Sequence, residues 1–412
     1  MALEPTGTGR ALERNLRIYS ALLPASRLMF WAPIFFLFLN ARFSIEHVLL
    51  LEAIYYGAVV IMEVPSGYLS DRFGRVVTLR LAMLSLTLSY GLFLTGEGND
   101  FLHFAAAQVA LAFGWAALSG TDTAFHHDSL VALDRAEEYA PREERLARNV
   151  QLAGAVSGIL GGAAAVLDLR AAYALSLVAA AISLGLAFGL REPPRPDEGW
   201  TQRRLDQQLF DCARLMRQPV LAWLFAYVIL MIAAEHVPYE FAQPYLAAVL
   251  DEPTEAVRRT PLAAGLLIAG FKLVSALAAT RTLWLRARVG LAGALLGLML
   301  LQCLVIGAMA STVHPLVLAL LLFRSTPPAM GMVLIHAAVT PRLPQALRAT
   351  YLSIHSLAGR LGYGLLLLAL SFLATPDARA EPATFGLMLT LCAALAALGT
   401  LGLALTRRAL SR

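Results

Sequence analysis

Long apolar runs alternate with short polar segments along the whole chain. Twelve of the runs approach the roughly 20 mostly apolar residues that a helix needs to cross a bilayer. The pattern therefore predicts an all-α integral membrane protein with twelve transmembrane helices. These spans are 18–39, 48–69, 77–95, 102–127, 149–167, 171–190, 219–246, 261–281, 289–309, 315–339, 350–373 and 384–405.

The longest polar segment that the pattern places inside the cell divides the spans into six and six. It predicts an N-terminal six-helix bundle over 1–190, a linker over 191–218 and a C-terminal six-helix bundle over 219–412. Within the linker, 202–217 has the apolar spacing of an amphipathic surface helix, with one face formed by Leu205, Leu209, Cys212 and Leu215.

Basic residues are distributed unevenly between the two sides of this topology. With the N-terminus inside, 24 of the 33 lysine and arginine residues lie in inner segments, 5 in outer loops and 4 within spans. The positive-inside rule therefore predicts that both termini are cytoplasmic. We expect a multi-pass protein of a bacterial inner membrane whose basic residues meet lipid headgroups rather than nucleic acid.

The composition argues against other classes of protein. Only 15% of residues are charged and 58% are apolar, whereas a soluble domain carries about a quarter charged residues. The three cysteines lie far apart and have no metal-ligand spacing. Because no catalytic motif or phosphate-binding loop is visible, we expect no enzyme activity and no cofactor. We also expect the protein to be a monomer.

The loop after the second span carries the most informative motif, Glu63-Val-Pro-Ser-Gly-Tyr-Leu-Ser-Asp-Arg-Phe-Gly-Arg75. It resembles the signature Gly-x-Leu-x-Asp-Arg-x-Gly-Arg-(Arg/Lys) of the major facilitator superfamily, which would make the chain a transporter of twelve helices in two bundles. The matching residues are Gly67, Leu69, Asp71, Arg72, Gly74 and Arg75.

The resemblance implies a gate that latches the cytoplasmic side in the outward-open state. Asp71 ends span 2 where it can face the positive N-terminus of another helix, and Gly74 permits a tight turn. Arg72 and Arg75 offer charges to acidic partners. Val76 replaces the second base of the signature, so we expect a weaker latch, helped by Arg80.

Two further segments, Ser119–Leu130 and Arg348–Ser353, are similar to segments of one bacterial branch of the superfamily. This similarity does not identify a substrate. Spans 4 and 5 lack the arginine and the proline of drug–proton antiporter motifs. Instead, Gly154, Gly158 and Gly162 form a ladder that predicts close helix packing. Several prolines are predicted to interrupt helices, and breaks in spans 1, 7 and 10 would suit bending during gating. They are Pro24, Pro33, Pro65, Pro244, Pro327 and Pro328.

Ionisable groups inside a bilayer are costly and mark functional pathways. In this chain they lie on spans 1, 2, 4, 7, 8, 10 and 11, and in the superfamily the central cavity is lined by spans 1, 4, 7 and 10 with help from 2, 5, 8 and 11. The candidate substrate and cavity residues are Arg27, Asp122, Lys272 and Arg324.

Two interpretations of these charges remain open. Glu52 and Arg360 are better explained as structural pairs, and Glu63 as part of the gate or of helix packing. Arg27, Lys272 and Arg324 are equally compatible with internal salt bridges and with ligand contacts. Three bases from different helices can clamp a carboxylate or phosphate, which favours a small-molecule substrate with an anionic group.

Coupling to protons needs a group whose proton affinity changes with its solvation. Glu235 and Glu240 on span 7 are the preferred carriers. Asp122 and His126, like His236 and Glu240, are four residues apart on one helix and can interact. We expect no metal site at His126, His127 and Asp128, because adjacent histidines point to different faces of a helix.

These observations favour a secondary active transporter that moves a small organic solute by alternating access. We expect proton coupling and favour export. The alternatives are proton-coupled uptake of a nutrient or chelate, and a receptor or lipid-handling protein that has kept the transporter fold. The intact Asp71-Arg72 pair and the charged cavity argue against the receptor.

Overall fold

The computed structural model describes residues 7–43, 45–194, 204–250, 261–371 and 382–411, and within these ranges the chain forms helices and no strand. The helices up to the linker are α1 (Gly7–Ser26), α2 (Phe35–Asn40), α3 (Ile45–Phe73), α4 (Arg75–Thr95), α5 (Phe101–Leu118), α6 (Thr121–Val131), α7 (Tyr139–Leu167) and α8 (Leu169–Phe188). Those that follow are α9 (Leu205–Leu215), α10 (Pro219–Leu250), α11 (Pro261–Ala279), α12 (Thr282–Ser311), α13 (Pro315–Leu321), α14 (Thr326–Val339), α15 (Arg348–Ser371) and α16 (Pro382–Leu405).

Long apolar helices dominate the fold because a helix satisfies its own backbone hydrogen bonds without water. Every predicted span contains helix, and within the described residues nine helical stretches combine the length and hydropathy of a membrane crossing. The prediction of an all-α membrane protein is therefore confirmed, while the count of twelve crossings remains a prediction.

Three of the spans are broken near their charged residues. Span 1 is interrupted between α1 and the short 3₁₀ turn Ala32–Ile34, span 4 at Ser119 and Gly120, and span 10 between α13 and α14. Gly120 has a φ of 72°, which accommodates the break in span 4.

The prolines explain these breaks only in part. Pro327 and Pro328 lie in the first turn of α14, where proline is well tolerated, so the predicted break in span 10 is confirmed. Pro24 lies inside α1 and Pro65 inside α3, so the predicted interruptions at these two prolines are wrong. The predicted break in span 7 is wrong, since the backbone of α10 is helical from Pro219 to Leu250.

Buried apolar side chains form two large clusters, one between Tyr19 and Leu190 and the other between Cys212 and Leu403. We call the helices before the linker the N-half and those after it the C-half. The boundaries at 190 and 219 remain a prediction. The end of the bundle that carries Gly74 is called the motif end, and the opposite end the far end.

The glycine ladder of span 5 lies against α11 of the C-half. A Cβ atom on Gly158 would be 3.0 Å from the Gly265 carbonyl oxygen, and one on Gly162 would be 2.7 Å from the Pro261 oxygen. A Cβ on Gly154 would be 3.3 Å from the Lys272 side chain. The predicted close packing is confirmed, and it brings the two halves into contact along spans 5 and 8.

The linker helix α9 lies at the motif end. Gln208 and Cys212 are its fully buried residues, whereas Leu209 of the predicted apolar face is exposed. Gln208 accepts a hydrogen bond from the Thr350 hydroxyl of α15 at 2.9 Å. Burial raises the pKa of the Cys212 thiol to about 12. The inner face of α9 is therefore partly polar, and the helix is fastened to the C-half.

Candidate functional site

Asp71 lies at the motif end of α3 and contacts the first turn of α15 in the other half. Its carboxylate accepts hydrogen bonds from the backbone nitrogen atoms of Thr350, at 2.8 Å, and Ala349, at 3.3 Å. The first N–H groups of a helix lack partners within it and carry partial positive charge. Asp71 thus caps a helix of the opposite half, the type of neighbour that the sequence predicted.

Arg75 is the central base of the motif end. The side chain is 3% exposed, and it donates to Asp71 and, at 3.2 Å, to Asp128 of α6. It also donates to the backbone oxygen of Gln345 in the C-half at 2.8 Å. One guanidinium therefore joins three segments from both halves, which its planar set of donors makes possible.

The other motif residues have separate structural positions. Gly74 has a φ of 122° at the start of α4, so the predicted tight turn is confirmed. Gly67 lies against α15, where a Cβ atom would be 2.6 Å from the Ser353 hydroxyl oxygen. Arg72 differs from Arg75, because it is exposed and donates to the Tyr68 hydroxyl one turn earlier.

A second base at the motif end comes from the C-half. Arg348 donates to Asp128, and also to the backbone oxygens of Thr340, at 3.2 Å, and Leu343, at 2.9 Å. Sequence analysis singled out both segments but did not predict that they meet. We call Asp71, Arg75, Asp128 and Arg348 the motif-end network.

Arg80 does not help the latch, contrary to expectation. It donates to the backbone oxygens of Ala187 and Leu190 in the N-half, at 3.2 and 3.0 Å. A base at the C-terminus of a helix offsets the partial negative charge of the last carbonyl groups. Arg80 thus fastens span 6 to span 3, and the additional base of the motif-end network is Arg348.

In the interior, Arg27 lies at the break in span 1 beside Asp122 of α6. The shortest distance between the guanidinium and the carboxylate is 3.6 Å, and the Arg27 side chain is 31% exposed. Arg27 also lies over the Trp115 ring, 4.7 Å from its centroid. Asp122 therefore pairs with Arg27, which follows α1, and not with His126 on its own helix. The predicted interaction between Asp122 and His126 is wrong.

Lys272 and Arg324 come from the C-half. The apolar stem of Lys272 covers Gly154, and the Arg324 guanidinium lies 4.4 Å from the centroid of the Phe271 ring. Arg324, Glu235 and Arg27 all lie within electrostatic range of the Lys272 ammonium group. The structure thus brings the three predicted bases into one region, together with Asp122 and Glu235. We call these five residues the central charge group.

The two carboxylates proposed for proton coupling, Glu235 and Glu240, both lie on α10. The partly buried side chain of Glu235 lies in the central charge group. The side chain of Glu240 lies outside the described part of the structure. The His236 ring contacts the backbone oxygen of Ile232 at 2.8 Å and the Tyr363 ring at a centroid distance of 4.3 Å.

Arg360 of α15 approaches Glu63 of α3, with 3.9 Å between the nearest charged atoms. Glu63 is fully buried, and its contact with Arg360 joins the two halves on the far-end side of the motif-end network. The structural pairing expected of Arg360 is therefore confirmed, and Glu63 is its partner.

Sequence analysis missed Glu143. Its carboxylate is 2.7 Å from Nδ1 of His126 in α6 and 3.9 Å from Nδ1 of His336 in α14. The predicted span 5 began at residue 149, which left Glu143 in a loop, whereas α7 begins at Tyr139. Hydropathy alone did not indicate that α7 begins before the apolar run, because its first turns are polar. Among the described residues, no group of three histidine, cysteine or acidic side chains is arranged to hold a metal ion.

Solved structures place this architecture among known folds. The chain resembles the Escherichia coli fucose:proton symporter with a TM-score of 0.69 and 16% sequence identity, over 96% of this chain and 99% of that one. It resembles a bacterial homologue of the iron transporter ferroportin, in its outward-facing state, with a TM-score of 0.71 and 16% identity, over 97% and 100% of the two chains.

A second structure of the same symporter, FucP, described as a Major Facilitator Superfamily transporter in the outward conformation, has a TM-score of 0.68 and 15% identity over 94% of this chain and 99% of that one. The chain has the major facilitator fold. No family model and no curated protein matches the sequence. The fold expected from the Gly67–Arg75 motif is therefore confirmed for a multi-pass membrane protein.

Proposed function

We propose that this protein with the major facilitator fold is a secondary transporter that works by alternating access. The observation that carries the proposal is the motif-end network, in which side chains of both halves contact one another. Contacts of this kind can form only while the motif end is closed, so they bias an equilibrium between two conformations. A catalytic role has no comparable support in the residues that surround the site.

The central charge group supports a small organic substrate with an anionic group. Its three bases, Arg27, Lys272 and Arg324, lie on spans 1, 8 and 10. Several bases together can bind one carboxylate or phosphate. Trp115 and Phe271 lie beside two of these bases, and such rings offer contact to an apolar body. An amphiphilic organic anion combines both kinds of contact.

Glu235 and Glu240 are proposed as the carriers of the coupling proton. Glu235 lies within electrostatic range of Lys272, so protonation of its carboxylate would change the attraction between the two residues. A base that loses an acidic neighbour gains affinity for an anionic substrate, which would couple proton uptake to substrate binding.

Export is the proposed direction, because aromatic faces beside the bases suit an amphiphilic compound that a cell expels. Binding of the proton and the anion together would instead favour uptake under an inward proton gradient. Proton-coupled uptake of a nutrient or chelate is the second candidate. The structural neighbours named for fucose and for iron share the fold and differ in cargo, so the fold does not identify the substrate. A receptor that moves no solute is the third.

The topology proposed from the basic residues places both termini in the cytoplasm of a bacterial cell, with the protein in its inner membrane. A cysteine at Glu97, which is exposed at the far end, should react with an impermeant maleimide in intact cells. One at Glu137, exposed at the motif end, should react only after the cells are opened. Cys212 should stay unlabelled, since its raised pKa keeps the thiol protonated. The reverse labelling pattern would contradict the topology.

Transport itself is tested by comparing cells that produce the protein with cells that produce Arg324→Ala at the same level. Mass spectrometry of medium and cytosol should show an organic anion enriched in the medium of the first strain only. Its enrichment in the cytosol would favour uptake. The compound is then used for counterflow in proteoliposomes of purified protein, and a failure of counterflow would favour the receptor.

A further inference from the structure

Glu143 connects two histidines that belong to different halves. His126 of α6 is in the N-half with Glu143, and it is bonded to one carboxylate oxygen at 2.7 Å. His336 of α14 is in the C-half, and its Nδ1 atom is 3.9 Å from the other oxygen. The first contact stays within one half, whereas the second crosses between them.

The surroundings of the three residues distinguish the two histidines further. The His126 ring is stacked on Tyr19 of α1 at a centroid distance of 4.9 Å and is almost fully buried. The His336 side chain is 21% exposed, whereas the Glu143 side chain is 11% exposed. A proton therefore has a more direct path to His336 than to His126.

Other titratable and charged groups face this cluster from the elements packed around it. They are Tyr19 of α1, Asp122 and His127 of α6, Tyr139 of α7, and Arg348 and His355 of α15. Tyr19, Asp122 and Arg348 belong to contacts already described. The contact between His336 and Glu143 differs from these, because it joins an imidazole and a carboxylate across the two halves.

We propose that Glu143, His126 and His336 form a proton-binding site that holds the two halves together at the motif end. A proton on His336 adds an attraction to the Glu143 carboxylate that exists only while the halves are in contact. When the motif end opens, His336 moves away with the C-half and the attraction is lost. By linkage, acidic conditions stabilise the closed motif end, and opening releases the proton.

This site is separate from the carboxylates proposed to carry the coupling proton, and it rests on the proposed alternating access. Spin labels on cysteines at Val131 and Thr280, two exposed positions at the motif end in different halves, report closure by double electron–electron resonance. The protein is placed in nanodiscs after Cys212, Cys303 and Cys392 are replaced by alanine.

Lowering the pH from about 8 to about 5.5 crosses the range in which histidine takes up a proton. The ratio of closed to open molecules should rise about fivefold or more, as for a typical coupling between two sites. Glu143→Gln should remove this response. His336→Arg should keep the motif end closed at both pH values, because its charge is permanent.

Glu144→Gln is the matched control. Glu144 also contacts the C-half, by accepting a hydrogen bond from the backbone nitrogen of Leu283 at 2.9 Å, so its variant should keep the wild-type pH response. The inference is overturned if the wild-type ratio does not depend on pH, if Glu143→Gln keeps the response, or if His336→Arg opens as the wild type does. A wild-type protein with one distance under every condition would instead contradict alternating access.

Discussion

The motif-end network and the central charge group use the same residue types in different ways. At the motif end, Arg75 is 3% exposed and has direct contacts with both Asp71 and Asp128. In the centre, Arg27 is 31% exposed and lies 3.6 Å from Asp122. Buried charges in direct contact stabilise one arrangement of the helices, because breaking them leaves an uncompensated charge.

The central charge group has a composition that suits binding. Its three bases, Arg27, Lys272 and Arg324, come from both halves, and two of them lie over aromatic rings. A rocking motion of the halves would change the spacing of these bases. The comparison supports the proposals that the motif-end network holds one conformation and that the central charge group binds a ligand.

The largest effect is expected from Arg75→Met. The substitution removes the base that contacts Asp71 and Asp128 and leaves two buried carboxylates less compensated. Removing one partner of a buried ion pair costs about 3 to 5 kcal/mol. The purified variant should unfold at a clearly lower temperature than the wild type, as followed by tryptophan fluorescence. An unchanged unfolding temperature would show that the network does not stabilise the closed state.

The helices were the most predictable part of this fold. Apolar runs predicted the long helices, because the bilayer requires a minimum length and hydropathy of any spanning helix. The contact of Asp71 with a helix N-terminus was also predictable, because motif position and helix electrostatics agree. Sequence spacing did not distinguish buried Arg75 from exposed Arg72.

Partners from distant segments could not be derived from spacing. Asp122 and His126 are one helical turn apart, yet their partners are Arg27 and Glu143. The break at Gly120 was missed because glycine is common in membrane helices and only its positive φ reveals the bend. Contacts between distant segments therefore determine these pairings and this bend, which local spacing does not reveal.

Arg324→Ala should affect function more than stability. If the central charge group binds substrate, the variant should lose counterflow of the identified compound, and its unfolding temperature should fall less than that of Arg75→Met. If Arg324 only balances an acidic residue, the variant should be unstable and Glu235→Gln should restore it. That rescue would contradict a binding role for Arg324.

Arg72→Gln should have the smallest effect. Arg72 is exposed and contacts Tyr68 on its own helix, and surface substitutions of this kind change stability by about 0.5 kcal/mol or less. Transport and unfolding temperature should remain near the wild-type values. A loss comparable to that of Arg75→Met would mean that Arg72 acquires an essential contact in the open state.

The most direct test of alternating access measures the opening of both ends of the protein in the Asp71→Asn variant. Spin-label pairs at Val131 and Thr280, and at Glu97 and Val313, report the motif end and the far end. Losing the charge at the α15 N-terminus should weaken closure by about 1 kcal/mol. The account predicts that the motif-end distance lengthens and the far-end distance shortens in the same fraction of molecules. Unchanged distances, or ends that move independently, would contradict it.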